Sequence, residues 1–172
     1  VCEEAAKQEI IRRYLIALCD YKKGKIEAES LERAKLLMDE LDLKLEDRTV
    51  IQPARDYVEM KRNCDDRYLN VVGMAIQLND GRIITGRSSR RMVAAGAMIL
   101  NAVKALAGID DEVHLIAPDV LEGIQRLKTE FLEQDRTSLT CEEILNALVV
   151  SGTTNPVAAK ALEYLKELKG CR

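Results

Sequence analysis

The chain has 172 residues, 47% apolar and 32% charged, with a formal net charge of −3. That balance excludes the disordered class and is enough chain for one sizeable core, or one core with a helical appendage. With 3% aromatics, no tryptophan and no basic excess, stacking platforms for single-stranded nucleic acid and a general nucleic-acid or membrane-surface role find no support.

The first third is predicted helical. Ala5, Ile10, Ile11, Tyr14, Leu15, Leu18 and Cys19 share one broad face at helical spacing, and Gly24 ends the run. A second helix is expected from about Glu27 to Leu41, striped by Leu31, Ala34, Leu37, Met38 and Leu41. The two together read as a helical hairpin. Pro53 suits the first turn of a third helix, which runs to about Asn63. The polar stretch Asn63 to Arg67 marks a boundary, giving a helical subdomain over 1–66 and an α/β subdomain over 67–172.

From Tyr68 the pattern changes. Leu69–Leu78 and Arg82–Thr85 read as strands joined at Asp80-Gly81, a hairpin signal because the tight turn needs positive φ. A long apolar helix is expected over about Arg90–Ala107, stopped by Gly108, and a short buried strand over Val113–Ala117. Pro118 opens a helix to about Glu133. Thr140-x-x-Glu143 is a capping box, and Asn155-Pro156 places an N-cap before a proline at the first helical position.

No stretch reaches the roughly 18 apolar residues of a membrane span, and no signal peptide is visible in the opening residues. Five scattered cysteines without a C-x-x-C pair fit reduced thiols in a cytoplasmic protein better than a disulfide frame or a zinc site. A start already inside an amphipathic pattern leads us to expect a longer natural protein, with its missing N-terminal part as a partner.

Four places are candidates for chemistry. Arg87, Ser88, Ser89 and Arg90 lie between a strand and a helix N-terminus, where free N–H groups, hydroxyls and guanidinium groups suit a phosphate or carboxylate. The plainer reading is a serine N-cap with solvated arginines, since the run lacks a glycine-rich phosphate loop. Asp119 and Glu122 complement a helix dipole, or serve acid–base work if they face a cleft. Thr153, Thr154 and Asn155 are a cap-to-cap connection with enough small polar groups to hold a ligand. His114, the only histidine, is expected as a core residue rather than a base, and one histidine assembles no nucleophilic triad.

Two resemblances attach to these motifs. Val71–Thr85, Val93–Ala107 and Val113–Phe131 resemble the hairpin, first core helix and following strand–helix of the cytidine-deaminase-like fold. Zinc deaminases carry His/Cys-Ala-Glu and Pro-Cys-x-x-Cys at the two helix starts. Here those positions read Ala94-Ala95-Gly96-Ala97 and Pro118-Asp119-Val120-Leu121-Glu122, so neither metal ligands nor catalytic glutamate are present, and no cofactor is implied. Ala5–Lys23, Asp80–Gly86, Leu100–Ile109, Thr154-Asn155-Pro156 and Leu165–Cys171 resemble the C-terminal part of a bacterial family, domain of unknown function 1846. That resemblance implies a helix-rich α/β architecture, a helical subdomain followed by a three-layer deaminase-like subdomain, and transfers no catalytic residue.

The leading functional expectation is a non-catalytic C-terminal module of a larger bacterial protein, supplying packing surface, homo-oligomer contacts or one wall of a cleft. Its rival is a site for a phosphorylated or nucleotide-like ligand, or part of an enzyme active site, where the helix N-termini near 87–91 and 118–122 approach. A third reading makes the helical hairpin a docking face, through Ile10, Ile11, Tyr14, Leu18, Leu37 and Leu41.

Overall fold

The structure is a computed structural model and describes residues 2–65 and 68–171. Glu3 and Glu4 in the first turn and Lys22 in the last complement the dipole of α1 (Cys2–Lys22). After it the chain turns at Gly24, φ +68°, and returns as α2 (Ala28–Glu40). Ile11 and Met38 are the buried residues of this hairpin's apolar stripes.

A single turn of 3-10 helix, Leu45–Asp47, follows. Gln8 is buried on α1 and ties this turn down. Its Nε2 donates to Asp47 O at 2.6 Å and to Glu4 Oε1 at 2.9 Å, and its Oε1 accepts the Thr49 N–H at 3.3 Å. A buried amide satisfied on both ends fixes the path of the chain at little net cost. Then comes α3 (Ile51–Cys64), with Pro53 in its first turn as expected.

Contacts group the chain into two units, Val1–Gln52 and Pro53–Arg172. The boundary expected after residue 66 falls on Asp66 and Arg67, which lie outside the described residues.

In the second unit the Asp80-Gly81 signal produces a hairpin of β1 (Gly73–Gln77) and β2 (Ile83–Arg87), antiparallel with Ala75 opposite Thr85. Gly81 takes φ +88°, and its N–H closes the turn on Leu78 O at 2.9 Å. The helix α4 (Ala94–Ala107) lies on β2. Gly86 permits this, because a Cβ there would collide with the backbone of Met98. Asn101 Nδ2 donates to Thr85 O at 2.9 Å and adds a polar tie. Gly108, left-handed at φ +63°, caps α4.

The core is one buried cluster to which α4 contributes Val103. It also holds Leu115, Ile116, Leu121 of α5 (Pro118–Arg126), Ile144 and Leu148 of α6 (Cys141–Gly152), and Ala158 and Ala161 of α7 (Pro156–Glu163). A π-helical turn, Leu127–Phe131, extends α5, and a 3-10 segment, Tyr164–Leu168, extends α7. The result is the helix-rich α/β class expected.

Three expectations fail here. Val113–Ala117 is not a strand, and among the described residues the sheet has two strands. The segment turns at once, with Val113 N donating to Asp110 O at 3.1 Å, and sinks only Leu115 and Ile116 into the core. An apolar run can thus be buried by anchoring two side chains, without the paired neighbour a strand needs. His114 is accordingly exposed and is not the core histidine expected. The helix expected from Arg90 starts instead at Ala94. Residues before it are held extended against the approach to α6, where Leu139 N donates to Arg91 O at 2.9 Å and Val93 N to Leu139 O at 3.0 Å.

Candidate functional site

The stretch between β2 and α4 is the first sequence candidate, and Arg87, Ser88 and Ser89 all have partners within the chain. Ser88 N donates to Val72 O at 2.8 Å, and Ser88 Oγ accepts the Val72 N–H at 2.9 Å. The residue therefore extends the hairpin ladder by one more pair. Ser89 Oγ accepts the N–H groups of Arg91 and Met92, both at 3.2 Å. That is the local serine turn that competes with helix in such positions. Arg87 stacks its guanidinium on the Tyr68 ring at 4.4 Å and donates to Ser88 O at 3.4 Å.

The first turns of α5 do come alongside this stretch. Arg91 Nη2 stands 3.9 Å from Glu122 Oε1, and Gln125 Nε2 donates to Arg90 O at 2.9 Å and to Thr137 O at 3.3 Å. Arg90, Arg91, Asp119 and Glu122 are exposed. A pair at this distance between exposed side chains contributes little to stability. It does leave guanidinium and carboxylate groups side by side on the surface.

The third candidate is consumed by capping. Asn155 Oδ1 accepts the N–H groups of Val157 and Ala158 at 2.9 and 3.4 Å, while Thr153 Oγ1 donates to Val150 O at 2.7 Å and Thr154 N to Ser151 O at 3.2 Å. Ser151 itself is buried, and its Oγ has no hydrogen-bond partner among the described residues.

Three features carry no mark in the sequence. Lys128 is 3% exposed, and its ammonium donates to Ser138 O at 2.9 Å and Glu143 Oε2 at 2.8 Å. Lys104, also buried, donates to Asp111 O at 2.8 Å. Burial pushes its pKa down, partly offset by the charges of Asp111 and Asp110. A groove of about 570 Å³ opens between α3 and β1, lined by Arg55, Val58, Glu59, Arg62, Val72 and Gly73. Only the distant partners, met after folding, give these residues their roles.

Among the described residues no group of three or more histidine, cysteine, aspartate or glutamate side chains is gathered to hold a metal. All five cysteines are free thiols. No helix among the described residues is long and apolar enough to cross a membrane.

The family model for the C-terminal domain of unknown function DUF1846 matches residues 46–172. The chain belongs to the DUF1846 family. The model for the N-terminal DUF1846 domain matches residues 1–42, so α1 and α2 fall within it. Among relatives of this family, a UPF0371 protein of Clostridium botulinum strain Langeland is 48% identical over 172 residues, covering all of this chain and 34% of the relative. A UPF0371 protein of Clostridium tetani strain Massachusetts is likewise 48% identical over 173 residues, covering all of this chain and 34% of its own length. One from C. botulinum strain Eklund 17B is 47% identical over 171 residues, covering 99% of this chain and 34% of that protein. The chain thus spans about a third of the length of these relatives.

Proposed function

We propose that this segment of a DUF1846 polypeptide is a non-catalytic structural and interaction module. One observation carries the reading: the side-chain oxygens of Ser88, Ser89, Thr153 and Asn155, the groups best placed by sequence to hold a ligand, bond to this chain's own backbone. A ligand would have to break a cap or a ladder pair to use them, at about 1 kcal/mol or more each. The relatives are about three times as long as this chain, which supports a reading in which other segments of the polypeptide carry any chemistry.

A second reading rests on the pairing of Arg91 with Glu122. Exposed guanidinium groups beside carboxylates suit an anion bearing a polar substituent, such as a phosphorylated or nucleotide-like ligand.

Thermal unfolding of the purified chain with inorganic phosphate, sugar phosphates and nucleotides separates the two. A ligand of the native state raises Tm by mass action. The module reading expects an unchanged Tm with every compound. A rise of several degrees that disappears in Arg91→Ala establishes the anion site and overturns it.

A further inference from the structure

The helix α2 is apolar around more of its circumference than its hairpin partner can cover. At about 100° per residue, the consecutive Leu36, Leu37 and Met38 sweep roughly 200°. Met38 is 4% exposed, while Leu36 is 61%, Leu37 42% and Leu41 47% exposed. Leu37 and Leu41, four apart, lie on one face beside the buried stripe, and Leu36 extends the apolar surface away from it. A surface helix normally confines its apolar residues to the side facing its core, and two helices make one seam. Two large leucines outside that seam on a 13-residue helix, with a third, Leu41, at its C-cap, are an interface without its occupant. α1 adds exposed Ile16 and Tyr21.

Two facts say what the occupant is. The N-terminal DUF1846 model matches residues 1–42, which contain α1 and α2, and the C-terminal model begins only at residue 46. The relatives are about three times as long as this chain. We infer that Leu36, Leu37 and Leu41 dock against the preceding part of the N-terminal DUF1846 domain of the same polypeptide, through an apolar face of that domain. This rests on the module reading and names the surface it works through.

The test compares the 172-residue chain with the full-length polypeptide that carries it, each with and without the paired substitutions Leu36→Gln and Leu37→Gln. Glutamine keeps helix propensity, so the short chain should retain its Tm. Amide hydrogen exchange over residues 28–41 should be at least about tenfold slower in the full-length protein, the ratio expected when docking adds more than 1.4 kcal/mol of protection. The double substitution should abolish that difference and lower the full-length Tm by several degrees. Equal exchange in the two lengths overturns the inference. So does a dimer of the short chain in sedimentation velocity that the double substitution dissolves, since a second copy would then be the occupant. A ligand-induced shift dependent on Arg91 bears only on the module reading and is read separately.

Discussion

Lys128 Nζ sits 2.8 Å from Glu143 Oε2, and the same oxygen accepts the Thr140 N–H at 2.7 Å. One carboxylate thus closes the capping box of α6 and neutralises a lysine that the core has almost wholly enclosed. Glu143→Gln leaves the ammonium buried without its counter-charge. The loss should be about 2 kcal/mol, below the 3–5 typical of a fully buried pair because Glu143 keeps some solvent contact. Lys128→Met should cost less, since the remaining carboxylate still holds Thr140 and faces water. Urea unfolding of the two variants checks the order; Lys128→Met as the weaker protein would contradict it.

The same pair sets an acid limb of stability. Burial on its own would raise the Glu143 carboxyl, but the bonds from Lys128 and Thr140 outweigh it and hold the pKa below the usual 4.5. A carboxyl lowered by folding stabilises the native state above its unfolded pKa, and that contribution disappears as pH falls through the folded value. Between neutral pH and pH 5 the group should contribute a constant amount. Below about 4.5 the wild type should lose stability more steeply than Glu143→Gln in a pH series of Tm.

Ser88 and Gly86 fix the hairpin for different reasons. Ser88→Ala removes the acceptor of the Val72 N–H and should cost about 0.5–1.5 kcal/mol. Gly86→Ala forces a methyl group into the α4 backbone at Met98 and should cost more, about 1–3 kcal/mol or above. If Gly86→Ala unfolds no more easily than Ser88→Ala, β2 and α4 are not in the close contact described.

Ser151→Ala should be neutral or stabilising, by up to about 1 kcal/mol. The hydroxyl is buried with no partner among the described residues, and alanine is the better helix former. Asn155→Ala, a few residues on, should cost about 1 kcal/mol through loss of the α7 cap. A matched pair of thermal melts reads both, and a destabilised Ser151→Ala would mean the hydroxyl has a partner such as bound water.

What could be read in advance was local. Thr140 and Glu143 are three residues apart, Asn155 precedes Pro156, and Asp80-Gly81 sits between apolar runs; each specifies its geometry with neighbours in sequence. The same locality misled at Val113–Ala117, where composition suggested a strand and the absence of a neighbour forbade one. It misled again at Arg90–Val93, because the competing partner, Leu139, lies more than forty residues away. Lys104 and Lys128 carry no sequence signal of their burial, since backbone acceptors at Asp111 and Ser138 cannot be assigned to them from spacing. Of the candidate site, the nearness of the 87–91 stretch to α5 rests on Arg91 beside Glu122 and Gln125 on Arg90 O, pairs more than thirty residues apart. That its serines serve the hairpin and a turn was not legible.

The extended bridge between Met92 and Leu139 has a consequence for how the chain tolerates being cut. Residues 131–137 are all exposed, yet they run between two anchors, the π-helical turn that holds Lys128 and the Leu139 bridge. A protease nick in that stretch would free neither end: the upstream fragment keeps Lys128 on Ser138 and Glu143, and the downstream one keeps Leu139 on Arg91 and Val93. The second unit is therefore expected to hold together as two interlocked fragments after such a cut, which limited proteolysis followed by gel filtration checks.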